Sequence, residues 1–138
     1  MMRLVLAPRL RAQIAEAARA AFPRECCGLL EGVREGDTIC VRAIHATRNI
    51  AEPNNRFEID PAEHFALLRQ ARGAGRAIVG CYHSHPDGES EPSAHDRETS
   101  GETGFVWLVV GVSATATHVP KAFCDDGLRF VPLELAAS

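Results

Sequence analysis

The sequence predicts one α/β domain over residues 1–138, in which a mixed β-sheet is sandwiched by helices. The length of 138 residues is that of one compact domain with a core of its own. Hydrophobic residues make up 46% and charged residues 24% of the chain, which is an ordinary globular balance. Helical and strand-like patterns alternate along the chain, and this alternation favours helices packed on a sheet.

Five segments of the first half have regular patterns: a helix over 9–22, strands over 26–32 and 38–45 that form a hairpin, a short strand over 56–60, and a helix over 61–73. Gly36-Asp37 supplies the turn of the hairpin. Asp60 is a helix N-cap and is followed by a proline, which is typical of a first helical turn. Phe65, Leu68 and Ala71 are expected on one side of that helix.

Five segments of the second half follow: a buried strand over 77–83, a short helix over 93–102, and strands over 105–112, 117–123 and 128–135. The run over 105–112 is continuously apolar, which predicts a strand covered on both faces. Asp125-Asp126-Gly127 is a suitable hairpin turn between the last two strands.

Composition and charge argue against nucleic-acid-binding, membrane-spanning and disulfide-stabilised classes of protein. The net charge of −3 gives no electrostatic basis for binding nucleic acid. No stretch approaches a membrane-spanning length, and the N-terminus has too few apolar residues for a signal peptide. The five cysteines, odd in number and irregularly spaced, do not resemble a disulfide framework. We therefore expect a soluble protein in a reducing compartment, the cytoplasm.

His83 and His85 form the core of the candidate site. They end a predicted strand at positions i and i+2, so both rings face the same side. The loop between Pro86 and Pro92 allows Asp96, on the first turn of the next helix, to reach the same point. Two imidazoles and one carboxylate suit zinc, and three protein ligands leave one position open for water. Spacing alone does not distinguish such a site from a chance cluster.

Ser93 has two interpretations. A serine after proline and before a helix is a common N-cap. A hydroxyl beside a metal can also donate a hydrogen bond to a developing oxyanion. The cap interpretation is slightly favoured by spacing, and the two roles are compatible.

The metal-binding pattern resembles the signature of the JAMM (MPN+) metalloproteases. Every defining position of that signature is present: His83, Ser84, His85, Pro86, Pro92, Ser93 and Asp96. An early glutamate before a Cys-Gly pair and an apolar strand is also typical of the family, and Glu25 lies in such a segment, 23–30. The chain is most similar to the small stand-alone prokaryotic members.

The resemblance implies a single-domain JAMM/MPN fold related to that of cytidine deaminases. It implies one Zn²⁺ ion held by His83, His85 and Asp96, with Glu25 as general base and then general acid, and Ser93 stabilising the tetrahedral intermediate. The implied reaction is hydrolysis of a peptide or isopeptide bond at the C-terminal Gly-Gly tail of a ubiquitin-like or sulfur-carrier protein. Neither nucleic acid nor membrane is an expected partner, and a homodimer is left open.

Three alternatives remain. A catalytically silent MPN-type protein-interaction module would have a broken motif, whereas this motif is intact. A zinc deaminase would need His-x-Glu and Pro-Cys-x-x-Cys, which are absent. A cysteine peptidase using Cys26 or Cys27 would need an electropositive, partly exposed thiol, but both residues enter an apolar strand.

Overall fold

The structure is a computed structural model that describes residues 2–51, 57–88, 90–93, 96 and 102–138. Within these residues the chain forms two helices and seven strands. Their bounds, in chain order, are β1 Arg3–Val5, α1 Pro8–Ala21, β2 Cys27–Glu35, β3 Thr38–Thr47, α2 Pro61–Gly73, β4 Ala77–His85, β5 Val106–Gly111, β6 Lys121–Asp125 and β7 Phe130–Ala136. Neither helix of this part of the chain has the length and apolar character needed to cross a membrane.

The strands form one mixed sheet that closes into a barrel in the order β1-β3-β2-β4-β5-β6-β7. Strand β1 is parallel to both β3 and β7, and β4 is parallel to β5, whereas the other pairs are antiparallel. The mixed sheet confirms the prediction. Its closure was not predicted, because β1 has three residues and is too short to show a period.

The two helices contribute to hydrophobic clusters on opposite faces of the sheet. Alternate residues of a strand point to opposite faces. Leu108 of β5 packs in one cluster with Ile14 of α1. Its neighbours Trp107 and Val109 pack in the other cluster with Ala71 of α2. The continuous apolar run of β5 is therefore explained by burial on both faces.

Strand β4 lies between β2 and β5, and its register places the candidate site. Cys27, the first residue of β2, pairs with His83 near the end of the antiparallel β4. The segment just before β2 therefore lies beside the end of β4. Gly28 allows this close approach, because a Cβ atom there would collide with the ring of Tyr82.

Several predicted bounds were wrong. Within the described part of 56–60 the structure shows only an isolated bridge between Ile59 and Asn49 instead of a strand. Strand β6 begins at Lys121 rather than residue 117, because Pro120 has no N–H to donate to a ladder. Strand β7 begins at residue 130 rather than 128, because the Asp126 side chain accepts hydrogen bonds from the N–H groups of residues 128 and 129.

Two further predictions concern helices. The predicted helix over 93–102 lies mostly outside the described residues, although Asp96 has helical backbone. On α2, Ala71 is buried as expected, but Phe65 is 61% exposed and Leu68 36% exposed. The sheet instead meets the face that carries Ala71 and Leu67.

Candidate metal centre

The structure brings His83, His85 and Asp96 together at the end of β4. The Nε2 atoms of the two imidazoles are 3.0 Å apart. Oδ2 of Asp96 lies 2.9 Å from Nε2 of His83 and 3.1 Å from Nε2 of His85. All three residues are buried, with at most 5% of any one exposed.

The convergence of these three atoms suits a cation. An imidazole Nε2 has at most one hydrogen, so the Nε2 of His83 cannot donate both to His85 and to Asp96. The ligand atoms of a tetrahedral zinc ion, each about 2.0 Å from the metal, lie roughly 3.3 Å from one another. The observed separations of 2.9–3.1 Å are close to that spacing. The donor set therefore fits zinc in both chemistry and size.

The protonation states of Asp96 and His83 match those of metal ligands. Burial would raise the pKa of Asp96, but hydrogen bonds from His83 and His85 outweigh it and hold the pKa far below its usual range. Burial lowers the pKa of His83, which favours the neutral ring. Burial also acts to lower the pKa of His85, but its hydrogen bond with Asp96 raises that pKa overall. An ionised carboxylate beside a neutral imidazole is the form in which such residues bind zinc.

Glu25 lies beside the same two imidazoles. One of its carboxyl oxygens and one nitrogen of each of His83 and His85 all lie within 4.8 Å of one another. Glu25 is 4% exposed, and its buried Oε1 has no hydrogen-bond partner among the described residues. Burial raises its pKa to about 8, with His85 opposing the rise and Asp96 adding to it. Glu25, His83 and His85 could themselves hold a metal ion, and Asp96 contacts the same two imidazoles at 2.9 and 3.1 Å.

Ser93 forms reciprocal contacts with Asp96. Its backbone N–H donates to Oδ2 of Asp96 at 2.8 Å, and its Oγ accepts from the backbone N–H of Asp96 at 3.0 Å. The second contact is that of a helix N-cap. Because Oγ acts there as an acceptor, its hydroxyl hydrogen remains available for donation to another group.

An aromatic wall, formed by Phe57 and Trp107, lies against His83. The Phe57 ring stacks on the imidazole with centroids 4.3 Å apart and an interplanar angle of 22°. Trp107 meets the same imidazole edge-on at 5.8 Å. Sequence reasoning missed both residues. The sequence has no local signal for Trp107, because its place follows from the parallel pairing of β4 with β5, in which Val109 is the partner of His83.

The cysteines are free thiols. Burial raises the pKa of Cys27 to about 11 and also raises the pKa of Cys26. A nucleophilic cysteine needs a lowered pKa. The shifts therefore weigh against a cysteine peptidase centred on either residue.

Comparison with families and curated proteins gives consistent matches. The family model described as prokaryotic homologues of the JAB domain matches residues 7–123. A desampylase from Haloferax volcanii is 40% identical over 112 residues, which cover 78% of this chain and 79% of the relative. A desampylase from Pyrococcus furiosus is 35% identical over 86 residues, 62% of this chain and 59% of that protein. The tail tip assembly protein K of Escherichia phage N15 is 33% identical over 94 residues, 67% of this chain and 35% of that protein.

Solved structures share the fold. The solution structure of a protein from Desulfitobacterium hafniense superimposes with a TM-score of 0.84 at 27% identity, covering 98% of this chain and 91% of that one. A JAB1/MPN domain protein from Archaeoglobus fulgidus superimposes with a TM-score of 0.54 at 21% identity, covering 98% and 96%. The second match concerns the fold alone.

Proposed function

This chain belongs to the prokaryotic JAB-domain family, and on that premise we propose that it is a zinc-dependent isopeptidase. Its substrate would be a ubiquitin-like or sulfur-carrier protein joined to another group through its C-terminal Gly-Gly tail. The principal support is the convergence of His83, His85 and Asp96 beside the buried carboxyl group of Glu25. The similarity to the desampylase of Haloferax volcanii supports the class of reaction and substrate.

In this proposal His83, His85 and Asp96 hold one zinc ion. Bound zinc polarises a substrate carbonyl and lowers the pKa of a coordinated water to about 7. Glu25 takes a proton from the attacking water and delivers it to the leaving amine. Burial, with a smaller contribution from Asp96, raises the pKa of Glu25 to about 8, and a divalent cation nearby would favour its ionised form. The carboxyl group is thus suited to exchange a proton near neutral pH.

Ser93 would assist at the carbonyl oxygen. Its Oγ already accepts one hydrogen bond from the backbone of Asp96, which fixes the hydroxyl next to a proposed ligand. The free hydroxyl hydrogen can then stabilise the negative charge that develops on the carbonyl oxygen. The cap and the oxyanion contact are therefore compatible roles of one side chain.

A groove of about 450 Å³ between the end of α1 and the end of β3 is lined in part by Glu25. Small side chains line part of it, among them Ala20, Ala21 and Ala46. Strand β3 is paired with β2 along one edge, and on its other edge β1 pairs only with residues 38–40. On that second edge, residues 43–47 have no strand partner in the described part of the chain. We propose that the tail lies along this edge as an added strand, where glycines fit beside the alanines.

Two further predictions, on domain organisation and cellular compartment, accompany this function. The described elements form one barrel, which supports the single domain proposed for residues 1–138. Five free cysteines support a reducing compartment, which we propose to be the cytoplasm. A homodimer remains open.

The deciding experiment combines metal analysis with hydrolysis. Purified protein is analysed for zinc and incubated with a fluorogenic peptide ending in Gly-Gly and joined through an isopeptide bond to a lysine side chain, with and without chelator. We expect about one zinc per chain and cleavage after Gly-Gly that stops with chelator and returns with zinc. A chain that takes up no metal after reconstitution, or that cleaves equally well with chelator present, would contradict the proposal.

A further inference from the structure

We propose that Asn49 is a positioning residue that fixes Glu25 for proton transfer by binding its main-chain carbonyl. The inference rests on the proposed function of Glu25 as the proton carrier. Asn49 lies outside the metal-binding motif: it follows the end of β3, whereas His83 and His85 lie at the end of β4. Nδ2 of Asn49 donates to the carbonyl oxygen of Glu25 at 3.0 Å.

Glu25 needs such support because it lies in neither a helix nor a strand. Helix α1 ends at Ala21 and β2 begins at Cys27. In the described part of the chain, the backbone–backbone hydrogen bonds of the connection 22–26, such as that from the N–H of Ser84 to the carbonyl of Cys26 at 3.2 Å, do not include Glu25. Its carboxyl group provides little anchorage, since Oε1 has no hydrogen-bond partner among the described residues. The position of the carboxyl group must therefore come from the main chain of this connection.

Two side chains anchor that main chain from opposite sides. Ser84, fully buried between the two histidines, accepts the N–H of Cys26 on its Oγ at 2.8 Å. Asn49 holds the other side by its bond to the carbonyl of Glu25. The main chain of Glu25 is thus held by a side chain that follows β3, and the main chain of Cys26 is held by a side chain of β4.

The orientation of the Asn49 amide follows from its other contacts. Oδ1 accepts the backbone N–H of Ala51 at 2.9 Å and that of Glu58 at 3.1 Å. Two N–H donors require the oxygen on that side, so the NH₂ group must face the carbonyl of Glu25. Arg24 reinforces the link by donating to the carbonyl of Ala51 at 3.0 Å. The amide is therefore held on both sides before it meets Glu25.

Two substitutions separate the bond to Glu25 from the bonds within the loop. Asn49→Ala removes all of these contacts, whereas Asn49→Asp keeps an acceptor for Ala51 and Glu58 but cannot donate to Glu25. Thr47→Val is the matched control. Thr47 lies two positions before Asn49, and its hydroxyl donates to the carbonyl of Cys27 at 3.2 Å. Thr47→Val therefore removes a side-chain bond to a main-chain carbonyl, as the Asn49 variants do, but at the residue after Cys26 instead of the residue before it.

The first readout needs neither metal nor substrate. In the metal-free protein, amide hydrogen exchange at Cys26 is measured by NMR for the wild type and the three variants. We expect both Asn49 variants to exchange at least about tenfold faster at Cys26, because local opening of the connection becomes easier. Thr47→Val should leave this rate within about twofold of the wild type. Unchanged exchange at Cys26 in both Asn49 variants would overturn the inference, even if the chain proved to have no hydrolytic activity.

The second readout is hydrolysis of the Gly-Gly isopeptide peptide by zinc-loaded protein, with zinc content and KM measured alongside. We expect kcat to fall about ten- to a hundredfold in both Asn49 variants at unchanged zinc content, since small misplacements of a reacting group carry such costs. In a Glu25→Gln background, Asn49→Ala should cause no further loss, because its effect acts through Glu25. A wild-type kcat in Asn49→Asp, or a full additional loss in the Glu25→Gln background, would overturn the inference.

Discussion

Glu25 and Asp96 are two buried carboxyl groups beside the same imidazoles, yet they are held in opposite states. Asp96 has hydrogen bonds from both histidines and from the backbone N–H of Ser93, so it stays ionised. Glu25 is buried, its Oε1 has no hydrogen-bond partner in the described part of the chain, and burial raises its pKa to about 8. Environments that separate two carboxyl groups in this way commonly give them separate roles.

Isosteric amides at these two positions should therefore have different effects. Glu25→Gln should keep about one zinc per chain and lose hydrolysis by about 10²- to 10⁴-fold, the usual contribution of a general acid–base group. Asp96→Asn should lose most of the zinc as well as the activity, because a neutral amide replaces an ionised ligand. Metal analysis and isopeptide hydrolysis on the same samples test both. Full activity in Glu25→Gln would exclude it as the base.

Ser93→Ala tests whether the hydroxyl contributes more than a cap. We expect a fall in kcat on the order of a hundredfold, and a loss of about 1 kcal/mol in the free energy of unfolding. Asp60→Ala is the control, because Asp60 caps α2 by accepting the N–H of Ala62 at 2.9 Å. It should cost a similar free energy of unfolding and leave kcat unchanged. If Ser93→Ala keeps the wild-type kcat, only the cap role remains.

Trp107 should report metal binding directly. It is the only tryptophan of the chain and lies 5.8 Å from the ring of His83. Addition of Ni²⁺ or Co²⁺ to metal-free protein should quench its fluorescence at one equivalent, because an open-shell ion would bind next to the indole. His83→Ala should abolish the quenching, and Trp107→Phe should remove the signal while retaining zinc. Uptake of one metal ion with unchanged emission would contradict the predicted site.

Sequence reasoning located these side chains unequally. His83, His85 and Asp96 are close in the chain, so strand and helix geometry alone placed them near one point. Glu25 lies 58 positions or more from them and was found only through the family resemblance. Trp107 is brought to the site by the register of β5 against β4, and the bridge between Asn49 and Ile59 brings Asn49 and Phe57 there. Neither the register nor the bridge has a local signal in the sequence.

Among the strands, β2, β3 and the start of β4 are joined by an ion cluster centred on Glu31. Its two carboxyl oxygens lie 2.8 Å from Nε2 of His45 and 3.1 Å from Nη1 of Arg76. Burial would raise the pKa of Glu31, but its hydrogen bonds to His45 and Arg76 outweigh burial and lower it. The folded-state pKa is therefore below the unfolded value near 4.5.

This difference predicts a specific acid sensitivity. The stabilisation from Glu31 is present above pH 4.5 and is lost as the pH falls through the lower folded-state pKa. The free energy of unfolding, measured by urea denaturation between pH 6 and pH 3, should decline more steeply in the wild type than in Glu31→Gln. Parallel declines would show that Glu31 contributes nothing to the pH dependence.

The ends of strands were the least predictable features of these elements. The sequence prediction extends the last two strands over residues 117–120 and 128–129. The backbone of Pro120 and the side chain of Asp126 stopped the ladders instead. Hydrogen-bond donors, rather than hydrophobicity, set these limits.

For the barrel as a unit, β1 is the closing element, since it joins β3 and β7 through three residues. Leu4 at its centre is fully buried in the cluster shared with α1. Sequence patterns predicted the mixed sheet but not this closure, because closure depends on strands at opposite ends of the chain.

Leu4→Ala should therefore destabilise the entire fold. We expect a loss of about 2–5 kcal/mol in the free energy of unfolding, the usual cost of truncating a buried leucine. Leu128→Ala is the matched control, because Leu128 is 95% exposed and its truncation should stay within about 0.5 kcal/mol. Urea denaturation of metal-free protein compares the two. Equal stabilities would show that β1 is dispensable for the barrel.

The order in which the site residues lie along the chain has a consequence for biogenesis. The proposed metal ligands His83 and Asp96 are thirteen positions apart, so bringing them together closes a much shorter loop than bringing either of them to Glu25. Glu25 reaches that metal only when β2 pairs with β4, a contact between distant parts of the chain. On the proposed assignment, a half-folded polypeptide can hold zinc without cutting anything. Hydrolytic activity would then begin only with completed folding.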